Sequence, residues 1–228
     1  MTKLDTPTLG EIVAANPAAA RALDRLGLDY CCQGDRTVAE ACVGTAHDPD
    51  EVADELDALP VEGDRTWTEL DAPALAEHIV ATHHRYLDEE LPLLDALAAK
   101  VLSVHSQNHP ELVRVRALVA AVKADLEPHL RKEEQVLFPA IAAAAGGQRE
   151  FPFGTVAQPI RAVLAEHDRV GELLAALRAA TGGYAVPDDA CASYRSLYER
   201  LDALEGDTHI HVHKENHALF PAALALVT

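Results

Sequence analysis

Aromatic residues, long apolar runs and export signals are scarce or missing in this sequence. Aromatic residues make up only 4% of the 228 residues, whereas alanine and leucine are abundant. Because strands draw on aromatic and β-branched residues, this composition favours helices over sheets. The longest candidate for a membrane span, residues 141–147, is far shorter than the roughly 18 residues needed, so we expect no transmembrane helix. The first ten residues lack a basic stretch followed by an apolar run, so we expect no signal peptide.

Positive charge is also scarce. Lysine and arginine number 19 against 37 aspartates and glutamates, which gives a formal net charge of -18. Such a surface repels the phosphates of nucleic acids and of anionic lipids, so we expect neither nucleic acid nor membrane as a partner. Cations, by contrast, are tolerated or attracted by it.

Cysteine is the third scarce residue, with Cys31, Cys32, Cys42 and Cys191 in the whole chain. Adjacent cysteines rarely bridge each other, because that geometry is strained. So few cysteines without an export signal favour a reducing cytoplasm. We expect Cys42 and Cys191 to be small buried hydrophobic residues.

The pattern of residues 1–62 predicts a small helical domain. Gly27 suits the end of a helix, Thr37 an N-cap and Pro49 a first helical turn. The predicted helices span residues 9–16, 17–26, 37–42 and 48–59. Cys31 and Cys32 fall in the turn between the second and third of these helices, and residues 60–65 are the predicted linker.

Residues 63–228 show four long amphipathic helical patterns, over residues 72–104, 110–144, 159–180 and 188–226. Turn signals separate these patterns. Four such helices with modest loops predict an antiparallel four-helix bundle, so the expected fold class is all-α. We expect four prolines to kink or end a helix: Pro92, Pro128, Pro139 and Pro221.

A stretch of twelve residues occurs twice in the chain, beginning at His129 and at His211, with seven identical positions. Each copy places a glutamate, Glu133 or Glu215, four residues after its histidine. Residues four apart lie on the same helix face, and both fall on the apolar stripe of their helix. A buried carboxylate costs several kcal/mol unless it is paired or binds a metal, so two of them indicate a bound cation.

The other two bundle helices each place one histidine on the apolar stripe, His84 and His167. The four histidines are about 40 residues apart along the chain, as two antiparallel legs of roughly 30 Å require, so they meet at one depth. A lone histidine on an apolar face is more often a core residue than a ligand, but here all four helices carry one. The ligand set suits two ions of non-haem iron or manganese better than zinc. The predicted metal ligands are His84, His129, Glu133, His167, His211 and Glu215, and each glutamate can bridge two ions.

Other histidines lie near these positions. His83 is the main rival of His84, but it lies about 100° away from the apolar stripe. His213 and His217 lie on a different helix face from His211 and are predicted to be surface residues. His105 lies about 30 Å along the helix from His84, which makes it a poor ligand.

Two carboxylates flank the predicted ligands. Asp125 lies one turn before His129 and is a candidate hydrogen-bond partner for a metal-bound histidine. Glu166 precedes His167 and could line an access channel or move protons. The alternative for Glu166 is a charge on a solvated helix face, and its position alone leaves both roles open.

Taken together, these motifs resemble the Repair of Iron Centres family over nearly the whole chain. The resemblance is carried by Asp-Tyr-Cys-Cys-Gln-Gly at residues 29–34, by Glu-His-Asp at 166–168 with Gly-Glu-Leu-Leu at 171–174, and by the two His-x-x-x-Glu motifs, each followed by Leu-Phe-Pro. The combination is specific, whereas Cys-Cys alone would be a weak signal.

The resemblance implies a hemerythrin-like bundle that holds two iron ions in a non-haem di-iron centre. It implies a cytoplasmic protein that repairs iron–sulfur clusters after nitrosative or oxidative stress, by donating iron or by handling nitric oxide. The implied partners are damaged iron–sulfur proteins, with nitric oxide or oxygen as a small ligand, and a homodimer stays open. Carried over by position, the six predicted ligands match the family's ligands.

One departure from the oxygen-carrying hemerythrins is visible. Those proteins place a second histidine one turn before the one on the third helix, and Val163 stands there in this chain. Fewer histidines leave an open coordination position, which favours small-ligand chemistry or iron release over storage.

Mostly on this resemblance, we assign reactivity to Cys31, Cys32 and Glu166. The two thiols could ligate or pass iron, or take part in redox chemistry, and the alternative is two small residues that pack a turn. A loop placement after Gly27 predicts exposed thiols, as reactivity requires. Two other functions stay open: a carrier or sensor of oxygen or nitric oxide, and an enzyme that reduces nitric oxide to nitrous oxide.

Overall fold

The computed structural model describes residues 6–63 and 65–227, which form an all-helical fold. Within these residues, β-structure is limited to isolated bridges that pair Thr8 with Thr37 and Phe151 with Gly154. None of the described helices is both long and apolar enough to cross a membrane. The predicted all-α fold class is confirmed.

Four short helices build the N-terminal part: α1 (Leu9–Ala15), α2 (Ala18–Leu26), α3 (Val38–Ala41) and α4 (Pro49–Asp57). Helices α1 and α3 each begin with a capping box, in which a threonine hydroxyl and a glutamate carboxylate satisfy each other's backbone amides. Helix α2 ends at Gly27, whose φ of 65° is a left-handed conformation that glycine adopts readily. The helix ends predicted from Gly27, Thr37 and Pro49 are therefore confirmed.

The remaining helices form four long legs, three of which contain a π-helical turn. The first leg follows the 3₁₀ turn Thr66–Glu69. Its parts are α5 (Ala72–Ile79), the π turn Val80–His84 and α6 (Arg85–His105). The second comprises α7 (Leu112–Lys132), the π turn Glu133–Leu137 and α8 (Phe138–Ala145). The third is α9 (Ala157–Ala180), and the fourth comprises α10 (Ala192–Lys214), the π turn Glu215–Leu219 and α11 (Phe220–Ala225).

The legs pack in a ring, with α6 against α7, α7 against α9, α9 against α10 and α10 against α6. Short loops join consecutive legs, so neighbouring legs run antiparallel. Two apolar clusters fill the bundle, one around Leu87, Leu126 and Leu201 and the other around Ile79, Phe138 and Phe220. Burial of each large side chain contributes about 1.5–3 kcal/mol. A polar layer of histidines and glutamates lies between the two clusters.

The three π turns coincide with predicted ligands, since His84 ends one and Glu133 and Glu215 begin the others. Pro139 and Pro221 follow two of these turns after one intervening phenylalanine. A proline offers no N–H to the carbonyl four residues earlier, and the wider π turn absorbs this interruption. By contrast, α6 and α7 continue past the prolines at positions 92 and 128, so neither of those ends its helix.

The N-terminal helices pack on the fourth leg. Their apolar cluster, built around Leu9, Leu23 and Tyr30, also contains Val212 of α10. His209 Nδ1 donates to Asp24 Oδ1 at 2.7 Å across the same contact. The turn at residues 29–34, hereafter the Cys-Cys turn, is thereby placed beside the leg that carries His211 and Glu215.

Candidate metal centre

The six residues predicted to bind metal lie together in the polar layer, and each is at most 1% exposed. They form two sets of four, and within each set the ligand atoms lie within 4.8 Å of one another. The first set is His84, Glu133, His211 and Glu215, and the second is His129, Glu133, His167 and Glu215. Both carboxylates therefore belong to both sets.

The distances within the layer match those between neighbouring ligands of one ion. Glu133 Oε2 lies 3.4 Å from Nε2 of both His84 and His129. Glu215 Oε1 lies 3.2 Å from His211 Nε2, and its Oε2 lies 3.1 Å from His167 Nε2. Two ligands at right angles, each about 2.1 Å from an ion, are about 3 Å apart. The geometry fits two cations that share both carboxylates.

Several atoms of the layer lack a hydrogen-bond partner among the described residues. They include both carboxylate oxygens of Glu133, both of Glu215, and His167 Nε2. A buried acceptor left unsatisfied costs about 1–3 kcal/mol, and more when it is charged. Metal ions would satisfy all of these atoms at once, and the buried donor set of imidazoles and carboxylates fits a non-haem di-iron centre.

The electrostatics of the layer also suit a metal. Burial lowers the pKa of His129 to about 4 and that of His211 to about 3, so both rings are neutral at pH 7. Burial and the charge of Glu215 raise the pKa of Glu133 well above its ordinary value. For Glu215 the effect of burial is outweighed by electrostatic interaction and hydrogen bonding with His211 and His167, which hold its pKa well below the ordinary value. A divalent cation favours the ionised form of both carboxylates.

Three of the four histidines are oriented by a hydrogen bond at Nδ1, which turns Nε2 toward the layer. The pairs are His84 with Glu134 at 2.8 Å, His129 with Glu166 at 3.0 Å and His167 with Asn216 at 2.8 Å. The Nδ1 of His211 has no hydrogen-bond partner among the described residues.

Glu166 lies at the edge of the layer, with 23% of its side chain exposed, and it contacts His129 and Lys132. Asp125 was predicted to hold His129, and that prediction was wrong. Its carboxylate accepts from Arg169 Nε at 2.7 Å instead. The neighbouring helix α9 carries both Glu166 and Arg169, so the packing of α9 against α7 decides which group His129 meets and which group Asp125 meets.

His83 is also buried but belongs to neither set. Its Nδ1 donates to Asp207 at 2.9 Å, and its Nε2 lies 2.8 Å from Lys214 Nζ. Its ring stacks on that of His211, with 5.5 Å between the centroids. The structure thus places His84 in the polar layer, as the apolar stripe predicted.

The prediction that His213 and His217 are surface residues was wrong. His213 is fully buried and meets the rings of Tyr30 and Trp67 edge-on. His217 is half-buried, and its Nε2 donates to the Cys31 carbonyl at 3.0 Å. Both lie on the side of the fourth leg that the N-terminal helices cover, which helix periodicity alone does not reveal.

The Cys-Cys turn is more closed than expected. Cys31 is only 5% exposed and Cys32 is half-buried, so the predicted exposure of both thiols was wrong for Cys31. Asp29 Oδ1 accepts from both cysteine amides, at 3.1 and 2.8 Å, and from the Cys31 thiol at 3.3 Å. Hydrogen bonding to Cys32 and burial raise the pKa of Cys31 well above its ordinary value. Asp29, Cys31 and Cys32 form a third group whose ligand atoms lie within 4.8 Å of one another.

A cleft of about 1000 Å³ separates the Cys-Cys turn from α9. Both thiols line it, together with Asp168 and Glu172 on the opposite side. Of the other cysteines, Cys42 is buried as predicted, but Cys191 is exposed, which corrects that expectation.

Sequence reasoning missed Glu134 and Asn216, which orient two of the histidines. Each follows one of the shared carboxylates by a single residue, so the two occupy equivalent positions of the repeated stretch. That common offset within the repeat was the signal that could have found them.

Comparison with known proteins places the chain in a family. Residues 75–223 match the Hemerythrin HHE cation binding domain, and residues 5–60 match the Domain of Unknown function (DUF542). Iron-sulfur cluster repair protein ScdA of Staphylococcus haemolyticus is 33% identical over 214 residues, which are 93% of this chain and 95% of that protein. The chain belongs to the Repair of Iron Centres family.

Two further Repair of Iron Centres proteins are similar over almost their whole length. Iron-sulfur cluster repair protein YtfE of Cronobacter sakazakii is 34% identical over 220 residues, 95% of this chain and 96% of that protein. The protein of the same name from Escherichia coli O1:K1 / APEC is 32% identical over 228 residues, 99% of each chain. The family membership expected from the sequence motifs is confirmed.

Proposed function

We propose that this Repair of Iron Centres protein binds two non-haem iron ions through His84, His129, Glu133, His167, His211 and Glu215. The observation that carries the proposal is the pair of overlapping ligand sets, in which both buried carboxylates belong to both sets. We also propose that residues 63–228 act as the metal-binding domain and residues 1–62 as a separate Cys-Cys domain.

When bound, the two irons supply redox-active metal that can take a small ligand or be released. The chain itself orients the imidazoles, because Glu134, Glu166 and Asn216 each hold an Nδ1. The apolar clusters on either side of the layer exclude bulk water from it. Glu166 reaches from His129 to the partly exposed edge, so we assign it the movement of protons between the layer and solvent.

We further propose that the protein repairs iron–sulfur clusters damaged by nitrosative or oxidative stress, by donating iron to the damaged protein. The names of the relatives support this role. The structure supports an exit route, since Asp29, Cys31 and Cys32 can hold an ion as cargo at the edge of the cleft. The location we propose is the cytoplasm, where both thiols stay reduced.

Metal analysis and a repair assay test these proposals. Protein made in iron-rich medium should contain two irons per chain, and protein without iron would overturn the metal centre. Iron-loaded protein mixed with a damaged iron–sulfur enzyme should restore that enzyme's activity. The double variant Cys31→Ala/Cys32→Ala should keep both irons and lose the repair, whereas the matched control Cys191→Ala should keep both properties. Full repair by the double variant would exclude a role for the thiols.

A second candidate function is binding or reduction of nitric oxide, or binding of oxygen, at the same centre. The observation in its favour is Val163, which lies one turn before His167 within the apolar cluster of Phe138 and Phe220. An apolar wall admits a small uncharged gas more readily than an ion. Reversible gas binding with iron retained beside a cluster-free acceptor protein would favour a carrier, and nitrous oxide formation would favour an enzyme.

A further inference from the structure

One side chain bridges the metal layer and the Cys-Cys turn. Asn216 Nδ2 donates to the carbonyl of Cys31 at 2.9 Å, and Asn216 Oδ1 lies 2.8 Å from His167 Nδ1. The two ends of one amide thus contact a proposed ligand and the backbone of the turn, which is 185 residues away in sequence.

The chemistry of these groups fixes the direction of both hydrogen bonds. A carbonyl can only accept, so the amide must point its NH₂ group at Cys31. Its oxygen therefore faces His167, and the Nδ1 of that ring must carry the proton. This tautomer leaves the Nε2 lone pair free, 3.1 Å from Glu215 and without a hydrogen-bond partner among the described residues.

We propose that Asn216 is a positioning residue that couples metal binding at His167 to docking of the Cys-Cys turn. A metal on Nε2 holds the proton on Nδ1, which holds the amide in the orientation that donates to Cys31. The opposite tautomer would turn the amide around and set its oxygen against the carbonyl of Cys31. Coupling of this kind is reciprocal, so a docked turn also prepares His167 for metal.

The packing of the turn is tight on the side that faces His217. A Cβ on Gly34 would lie 2.2 Å from the carbonyl oxygen of Tyr30 and 2.5 Å from His217 Nε2, so only glycine fits there. On the α9 side, a Cβ on Gly171 would lie 3.9 Å from Cys32 Sγ, so the Cys32 thiol comes close to α9 one helical turn beyond His167, where both residues line the cleft.

The repeat supplies an internal control for the coupling. Glu134 occupies the position equivalent to Asn216 and holds His84, but no bond from it to the N-terminal helices is found among the described residues. His217 donates to the same Cys31 carbonyl but makes no hydrogen bond to a proposed ligand. Variants of Glu134 and His217 therefore separate the effect of holding a histidine from the effect of anchoring the turn.

The proposal rests on His167 as a metal ligand, and hydrogen exchange of the full chain tests it. All proteins compared carry the double substitution Cys31→Ala/Cys32→Ala, so that metal cannot bind the thiols of the turn. The metal added is Fe²⁺, under oxygen-free conditions. Metal should slow exchange of the amides at positions 31 and 32 at least about fivefold, the low end of allosteric coupling. Asn216→Asp, which can still accept from His167 but cannot donate to a carbonyl, should bind metal and lose this slowing.

Three further variants complete the experiment: His217→Ala, Glu134→Ala and Asn216→Ala. His217→Ala should speed exchange with and without metal but keep the ratio between them, and Glu134→Ala should weaken metal binding without changing exchange in the metal-free protein. Metal-dependent slowing that persists in Asn216→Asp would overturn the coupling and leave the proposed function intact. If no metal binds, the proposed function fails, and hydrogen exchange of the metal-free proteins then tests whether Asn216 anchors the turn. Exchange at 31 and 32 that is no faster in Asn216→Ala than in the parent would overturn the contact itself.

Discussion

The two copies of the repeated stretch place the same proposed ligands, a histidine and a glutamate, in different surroundings. In the first copy, the positions beside the ligands, such as Arg131 and Gln135, are exposed. The equivalent residues of the second copy, His213 and His217, are buried and half-buried under the N-terminal helices.

The residue after each shared carboxylate shows what this difference means. Glu134 and Asn216 both hold a histidine of another helix, one as a partly exposed carboxylate and the other as an amide that reaches the Cys-Cys turn. A carboxylate suits a position that meets water, whereas an amide has a second end that can donate to a carbonyl. The repeat therefore keeps the proposed metal ligands in both halves and adds a contact to the N-terminal helices in one.

The largest expected effect is a loss of bound iron, and it should be the same for the shared carboxylate of either copy. Glu133→Ala and Glu215→Ala should each reduce bound iron from two per chain to nearly none, because each carboxylate belongs to both ligand sets. Metal analysis checks this, with circular dichroism to show that the helices persist. Glu77→Gln, at an exposed position of α5, is the matched control and should keep both irons. Retention of one tightly held iron in either alanine variant would show that the carboxylates are not shared.

A smaller effect is expected when the histidines lose the partners at Nδ1. Glu134→Ala loosens the first ligand set and Glu166→Ala the second, and each should weaken metal binding about 10–100-fold. Competition against a chelator of known affinity measures the change. Equal affinity in the wild-type protein and both variants would mean that the rings are held by packing alone.

In the metal-free protein, the two shared carboxylates should affect the pH dependence of stability in opposite directions. The pKa of Glu133 is raised by burial, so its ionisation destabilises the fold as pH rises above the ordinary value of about 4.3. Glu133→Gln should therefore raise the midpoint of thermal unfolding, and by more at about pH 8 than at about pH 5.

The pKa of Glu215 is lowered, because His211 and His167 outweigh burial, so its contribution is present above the ordinary pKa and is lost in acid. Glu215→Gln should lower the midpoint at neutral pH, and this effect should shrink as pH falls below the ordinary value of about 4.3 toward the lowered pKa of Glu215. Thermal unfolding in the presence of a chelator measures both variants. Shifts of the same sign in both would show that the two carboxylates share one environment.

The smallest expected effect is a change in the free energy of unfolding where the N-terminal helices cover the second copy. His217→Ala removes a hydrogen bond to the Cys31 carbonyl and should lower the free energy of unfolding by about 1 kcal/mol. Gln135→Ala, its exposed counterpart in the first copy, should change it by less than about 0.5 kcal/mol. Urea unfolding of both variants makes the comparison. Equal losses would mean that the N-terminal helices add nothing at this position.

Much of the fold and of the ligand set could be predicted because local rules govern both. Capping residues such as Thr37 and the left-handed Gly27 act within a few residues of where they stand. The two His-x-x-x-Glu pairs that meet in the polar layer were predicted because a histidine and a glutamate four apart on an apolar stripe are costly to bury unless they bind a cation. Exposure was harder to predict, since Cys31 and His213 lie at surfaces of their own segments that other helices then cover.

By itself the sequence determined the helices, the repeat and the six residues that meet in the polar layer, since periodicity and spacing fix which side chains share a helix face. Only the tertiary structure decided which groups hold those histidines and how the Cys-Cys turn meets them. The packing of neighbouring helices makes Glu166 rather than Asp125 the hydrogen-bond partner of His129. The same packing brings Asn216 within hydrogen-bond distance of the Cys31 carbonyl. Such contacts join residues 185 or more positions apart and depend on packing geometry, which no local pattern in a single chain encodes.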